Sequence, residues 1–224
     1  MANENDYERE GNGPSETPRE TLKKSVEDGL KEALKQVTTE IGEVPHEFLG
    51  VFDWEIIALG PFQTPGPPQT PPGRIIELGE KAYIATIVMM NHNMCVNVSG
   101  FGGKIQLSYF TSNTETMERV EEMDYTCCIY PDGVCNPEGL PSFFVHIWEF
   151  EPTEAACILE TNICARICNC NDEAVPHYAG FVRWVLDLDP DWLWPAGPRF
   201  DHPIRYLVYD DEVDPCDCSV NCDD

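Results

Sequence analysis

The sequence predicts a mainly β protein, an antiparallel β-sandwich preceded by an N-terminal amphipathic helix. From residue 74 onward the chain is a series of short apolar segments separated by Gly, Pro, Asn and Asp, a pattern typical of about eight strands joined by turns. Segments with the length and periodicity of a helix do not separate these strands, which disfavours a parallel sheet of alternating strands and helices. An antiparallel sandwich or barrel is therefore expected.

One segment departs from this pattern and predicts a helix over 20–42. Thr17 or Ser15 can begin the helix, and Gly42 followed by Pro45 can end it. Its apolar stripe needs a surface to bury against, which can be the chain's own sheet, a second copy or, less favourably, a membrane surface. The stripe, at helical spacing, is Leu22, Val26, Leu30, Ala33, Leu34, Val37 and Ile41.

The strands are expected in the following order. The first covers 48–59, and the proline-rich segment 60–73 then carries the chain across the sandwich as an extended crossover. Segment 143–150 is apolar on both faces, which predicts a position at the centre of a sheet. Segment 131–141 is an expected loop. The other predicted strands are 74–78, 81–90, 94–98, 104–110, a weaker pair within 117–130, 156–168, 179–188 and 203–209.

This interpretation divides the chain into an acidic extension, 1–19, the helix, 20–42, the sandwich, 46–210, and an acidic tail with cysteines, 211–224. The two terminal parts are rich in charge and poor in apolar residues. Such segments bury too little surface to offset the entropy of ordering them, so we expect both to be mobile unless a partner or a crosslink holds them.

The charge is strongly negative, with 14 Lys and Arg against 40 Asp and Glu, a net charge of −26. Nucleic acid and anionic membranes repel such a chain, whereas cations and basic surfaces attract it. No apolar stretch approaches the roughly 20 residues that span a bilayer. The start of the chain shows no signal peptide, which predicts the cytoplasm, but the 11 cysteines leave an extracellular or exported location open.

The cysteines are the strongest chemical signal, and they can be disulfides, metal ligands or free thiols. Cys216, Cys218 and Cys222 are closely spaced thiolates that could bind zinc or copper, with His202 or Cys170 as a fourth ligand. The C-x-x-C pairs of ordinary zinc modules are missing, which favours disulfides. The other cysteines are Cys95, alone on a predicted strand, and Cys127, Cys128, Cys135, Cys157, Cys164 and Cys168.

Other candidate sites are weaker. Segment 187–192 begins like a calcium loop but lacks the glycine and the glutamate that complete one. The histidines have no partner at a spacing typical of a site, and no catalytic motif is recognised, although a Cys–His pair formed in space stays open. Trp184, Trp192, Trp194 and Phe200 can be core residues or an adhesive, sugar-binding patch.

Two stretches carry a resemblance to a known group of proteins. They are Pro67-Pro-Gln-Thr-Pro-Pro-Gly-Arg-Ile-Ile-Glu-Leu-Gly-Glu80, with the strands that follow it, and Pro203-Ile-Arg-Tyr-Leu-Val-Tyr-Asp210. With them, roughly the last two-thirds of the chain resembles uncharacterised bacterial immunoglobulin-like sandwich proteins. The Cys…Trp…Cys spacing of true immunoglobulin domains is not recognisable, so the resemblance implies the architecture and no site.

These patterns favour a non-catalytic interaction or structural protein that self-associates through its helix or its sheet surfaces, or that binds another protein. The alternative is a cysteine-based metal-binding or redox protein that uses the tail thiolates. No cofactor is firmly expected. An enzyme with a site formed only in the folded chain is a third, less favoured possibility.

Overall fold

The computed structural model describes residues 17–40, 54–63, 75–131, 135–136, 140–153, 155–169, 174–181, 183–184 and 204–209. The helices are α1, Pro18–Glu40, and α2, His92–Gly100. The strands are β1 Trp54–Phe62, β2 Ile75–Glu77, β3 Ala82–Met90, β4 Lys104–Asn113, β5 Glu118–Arg119, β6 Tyr125–Ile129, β7 Ser142–Phe150, β8 Ala156–Cys168, β9 Ala174–Phe181, β10 Arg183–Trp184 and β11 Ile204–Tyr209.

The described strands form two sheets. The smaller sheet has the order β10-β1-β3-β7, and the larger has the order β2-β11-β8-β4-β5, with β6 paired to β4 and β9 paired to β8. Pairing is antiparallel apart from the β1–β10 and β2–β11 pairs. This is an antiparallel β-sandwich with an N-terminal helix, as predicted.

The core lies between the two sheets, and strand alternation builds it. On β4, Ile105, Leu107 and Tyr109 are fully buried, while the residues between them are half-buried on the outer face. Across the gap, the Tyr109 hydroxyl donates to Thr86 Oγ1 of β3 at 2.8 Å. The ring centroids of Tyr109 and Trp148 lie 4.7 Å apart between the sheets. The burial of apolar side chains and the hydrogen bond between the Tyr109 and Thr86 hydroxyls therefore hold the two sheets together.

Helix α1 confirms the predicted periodicity. Thr17 Oγ1 accepts a hydrogen bond from Glu20 N at 3.3 Å, and Glu20 Oε2 accepts one from Thr17 N at 2.9 Å, a capping box that begins the helix. Leu22, Val26 and Leu30 are buried in one cluster with residues of the smaller sheet, mainly from β3 and β7. The chain's own sheet is thus the surface that covers this part of the stripe.

Strand β7 corrects the prediction for 143–150. Among the described strands it lies at the end of the smaller sheet, and β3, buried along its whole length, lies inside. Both faces of β7 are apolar for another reason. Trp148 and Phe150 face the core between the sheets. Ile147 belongs to the cluster under α1, so the helix covers the other face of β7.

The strand predicted at 94–98 is wrong, because this segment lies in α2. Asn91 Oδ1 accepts a hydrogen bond from Met94 N at 2.8 Å and begins the helix. Met94, Cys95 and Val98 are buried, which is a helical rather than an alternating pattern. The predicted pair at 117–130 consists of the two-residue β5, a single helical turn at 121–123 and β6.

Candidate functional site

The predicted metal ligands Cys216, Cys218 and Cys222 lie outside the described residues, as do His202 and Cys170. Zinc or copper binding by the tail stays a prediction, which elemental analysis of the native protein would test. Within the described ranges, no group of three or more His, Cys, Asp or Glu is placed to hold a metal ion. The calcium-loop candidate, Trp192, Trp194 and Phe200 also lie outside these ranges.

The structure pairs two cysteines that sequence reasoning left unassigned. Cys95 of α2 and Cys135 form a disulfide, with their Cα atoms 5.7 Å apart. Cys95 is therefore not alone. We call the region around it the bridged end, which consists of α2 and the described residues of segment 130–141. Eleven cysteines allow many pairings, so spacing along the chain could not select this one.

Hydrogen bonds supplement the disulfide at the bridged end. The Ser99 hydroxyl of α2 donates to the Pro131 carbonyl, and His92 Nδ1 lies 2.7 Å from the Asn136 carbonyl. Asn136 in turn donates from its backbone N to Ser142 Oγ at 2.8 Å and from Nδ2 to the Pro141 carbonyl at 2.6 Å. The segment is thus attached both to α2 and to the start of β7.

Apolar side chains lie exposed around these contacts. Val96 is 48% exposed, Tyr130 is 56% exposed and Leu140 is 37% exposed. Val96 shares a helix face with Ser99, and Tyr130 precedes the proline that Ser99 contacts. The bridged end therefore displays apolar groups on a fixed backbone.

Two of the described free thiols, Cys127 and Cys164, lie on opposite sides of β4. On β6, Cys127 lies opposite Leu107 of β4 and faces the core, and burial raises the pKa of this thiol to about 12. Cys164 lies opposite Ser108 on the far side of β4, and burial raises its pKa as well. Because β4 separates these two thiols, they cannot form a disulfide with each other in this fold.

A second candidate surface is an apolar row on the outer face of the larger sheet, formed by Ile75, Leu207 and Ile158. Ile75 of β2 lies opposite Leu207 of β11. Ile158 lies on the neighbouring strand β8, next to the buried Leu159, where the register with β11 shifts between Tyr206 and Val208. Ile75 is 62% exposed, Ile158 is 44% exposed and Leu207 is half-buried. Sequence reasoning missed this row, because its three residues lie far apart in the sequence and only the order of the strands brings them together.

Two features border the apolar row. On the same face, Arg205 Nε lies 2.9 Å from Glu160 Oε2, so this part of an acidic chain carries a neutralised pair. At β2, which lies at the end of the larger sheet among the described strands, the Gln63 side chain donates to the Glu77 carbonyl at 2.7 Å and accepts from Glu77 N at 2.7 Å. This side chain occupies the position of a neighbouring strand, which blocks edge pairing at Glu77.

No protein-family model and no curated protein matches the sequence. Solved structures with some similarity include the CARDB domain of the PF1109 protein from Pyrococcus furiosus in complex with di-metal ions, at 12% identity and TM-score 0.27 over 61% of this chain and 90% of that one. A solution NMR structure of that domain gives 13% identity and TM-score 0.26, over 61% and 97%. A β-glucosidase from Listeria innocua gives 7% and 0.28, over 59% of this chain and only 16% of that one. Scores of this size carry no inference about function.

Proposed function

We propose that this chain is a non-catalytic β-sandwich interaction protein that self-associates through the outer face of its larger sheet. The observation that carries the proposal is the apolar row of Ile75, Leu207 and Ile158. These side chains are exposed on three neighbouring strands. A second surface that covers them removes apolar area from water, which favours association.

The contact is face to face rather than edge to edge. Edge pairing at β2 is disfavoured because Gln63 already binds the Glu77 backbone. The face is also self-complementary in charge, since Arg205 and Glu160 stand side by side next to the row. About a two-fold axis, Arg205 of one copy can face Glu160 of the other, so two copies can meet there without like charges in contact.

The N-terminal helix is the less favoured contact. Leu22, Val26 and Leu30, which could have driven a helical bundle, are already buried against the smaller sheet. Exchange of α1 between copies would have to displace that internal contact first.

The disulfide supports an oxidising compartment as the location. Disulfides such as Cys95–Cys135 form and persist in compartments that do not keep thiols reduced. No helix in the described part of the chain has both the length and the apolar character needed to cross a membrane.

Sedimentation velocity over micromolar to submillimolar concentrations tests the self-association. We expect a concentration-dependent dimer in the native protein and a monomer for Ile158→Lys. Val96→Lys is the matched control, because Val96 is 48% exposed on α2, which leads into the end of β4 opposite to the one that pairs with Leu159, and its replacement should leave the dimer intact. A native protein that stays monomeric at every concentration, or an equal loss in both variants, would rule the proposal out.

A further inference from the structure

The hairpin that joins β4 to β5, residues 114–117, lies beside the apolar row. Thr114 extends the pairing of β4 with β8 by one residue, because its backbone N and its hydroxyl both donate to the Ile158 carbonyl, at 3.1 and 3.0 Å. Asn113 before it is buried on the core side of β4, so alternation places Thr114 on the outer face, the face that exposes Ile158. The hairpin therefore starts one strand away from the row and on the same face.

Met117 lies at the far end of this hairpin and is 84% exposed. Glu118, the residue after it, pairs with Asn113, which brings Met117 back to the level of Thr114. Asn113 Oδ1 accepts a hydrogen bond from Glu115 N at 2.9 Å and holds the turn, and Met117 has a φ of 59°, which few residues other than glycine adopt. The turn thus keeps a large apolar side chain in water at the end of the row.

The order of the strands decides which residues meet when two copies pair through this face. The larger sheet runs β2-β11-β8-β4-β5, and Arg205 and Glu160 lie opposite each other on β11 and β8. A two-fold axis that lies in the interface, parallel to the strands and between β11 and β8, therefore sets Arg205 of one copy against Glu160 of the other. The same axis lays Leu207 over Ile158, so a second copy fits this surface in both charge and apolar character.

The two-fold axis also lays β2 of one copy over β4 of the other, since each is the next strand outward. Ile75 of β2, at the level of Leu207 and 62% exposed, then arrives over the hairpin at Thr114. Met117 stands one strand spacing further out, about 5 Å, a distance that the unbranched and flexible side chain of methionine can bridge.

We propose that Met117 is the fourth apolar contact of the dimer, and that in each copy it packs against Ile75 of the other copy. This contact rests on the proposed self-association through the apolar row and extends that surface to the β4–β5 hairpin. Because the arrangement is symmetric, the contact forms twice, once at each end of the interface. Glu115 and Glu118 are exposed on either side of Met117, so the burial of apolar surface, and not attraction between charges, drives it.

Crosslinking tests the pair. The single variants Ile75→Cys and Met117→Cys are treated with a short bismaleimide, alone and as an equimolar mixture, and linked peptides are identified by mass spectrometry. We expect a link between positions 75 and 117 in the mixture, and no 75–75 or 117–117 link in either variant alone, because the axis holds like positions apart. Val96→Cys mixed with Met117→Cys is the matched control and should give no link between 96 and 117.

Sedimentation equilibrium measures the contribution of the contact. Met117→Ala and Ile75→Ala should each raise the dissociation constant of the dimer by about tenfold. Because the two side chains touch each other, the double variant should lose less than the product of the two single effects. Both positions are exposed in the monomer, so these variants keep the fold.

The outcomes separate this contact from the self-association on which it rests. A native dimer that yields no 75–117 link and is unaffected by Met117→Ala would overturn the contact and leave the apolar row in place. A 117–117 link would move the axis and overturn it too. A native protein that is monomeric at every concentration would refute the self-association, and this contact with it.

Discussion

His146 is a titratable side chain placed where its charged form is disfavoured. Its ring stacks on Tyr125 with 5.8 Å between centroids, and its buried Nε2 has no hydrogen-bond partner among the residues that the structure describes. Burial, with Arg19 and Lys23 of α1 nearby, lowers its pKa from 6.5 to about 4. In the unfolded chain this imidazole binds a proton more readily than in the folded one.

The folded protein should therefore lose stability through His146 as the pH falls from about 6.5 to 4. We expect His146→Phe to remove about 1–3 kcal/mol of that pH dependence, after allowance for partial solvent screening. The measurement is the free energy of unfolding in urea at several pH values for both proteins. Because the acidic groups are common to both, their difference isolates His146, and a difference that does not vary with pH would contradict the assignment.

Gly60 is required by its backbone conformation. Its φ is 132°, and a Cβ atom at this position would lie 2.9 Å from the Tyr83 carbonyl oxygen of β3. Gly60 lies at the irregular end of β1, where the register with β3 shifts between Leu59 and Phe62.

Gly60→Ala should destabilise the fold by about 1–3 kcal/mol, from strain in the backbone and contact with β3. Gly100→Ala is the control, since a Cβ there meets nothing within 4 Å. Chemical denaturation compares the two variants, and equal stability would show that β1 relaxes around the new side chain.

Among elements, α1 shows which part of the fold could be predicted from the sequence. Its periodicity is local, so both the helix and its buried stripe were predictable, whereas the surface beneath it depends on the order of β3 and β7. Segment 94–98 misled because Met94, Val96 and Val98 alternate as in a strand. The length and the Asn91 contact that make it helical are visible only in the fold.

The docking of α1 can be measured by shortening one buried side chain. Leu30 lies on the buried face of the helix and is 2% exposed. Leu30→Ala should lower the free energy of unfolding by about 2–4 kcal/mol, because it removes buried apolar surface and leaves a cavity. Lys31→Ala, on the solvent side of the same turn, should change stability by less than about 0.5 kcal/mol. A small effect of Leu30→Ala would mean that α1 contributes little to the fold.

The candidate sites could not be predicted from the sequence because they depend on contacts between residues that are far apart along the chain. Cys95 and Cys135 lie 40 residues apart, and the apolar row joins residues from β2, β8 and β11. Composition identified the cysteines as important, but only the meeting of α2 with segment 130–141 selects the pair. The tail thiolates remain a prediction because they lie outside the described residues.

At the scale of the whole molecule, the net charge of −26 opposes the association of two copies. Because dissolved salt screens this repulsion, the dimer proposed for the larger sheet should tighten several-fold as ionic strength rises to the physiological range. Sedimentation equilibrium at several salt concentrations measures it. Weaker association at higher salt would indicate that attraction between unlike charges, rather than the apolar row, dominates the contact.

The Cys95–Cys135 bridge also closes part of the polypeptide into a covalent ring that contains β4, β5 and β6. The hairpin between β4 and β5 is on this ring, and at its tip Met117 is 84% exposed. A single protease cut at that tip should therefore leave the two fragments joined on a non-reducing gel and separate them only after reduction. Fragments that part without a reductant would show that the ring is not closed. A chain built in this way can be cut in this exposed hairpin and still remain one molecule.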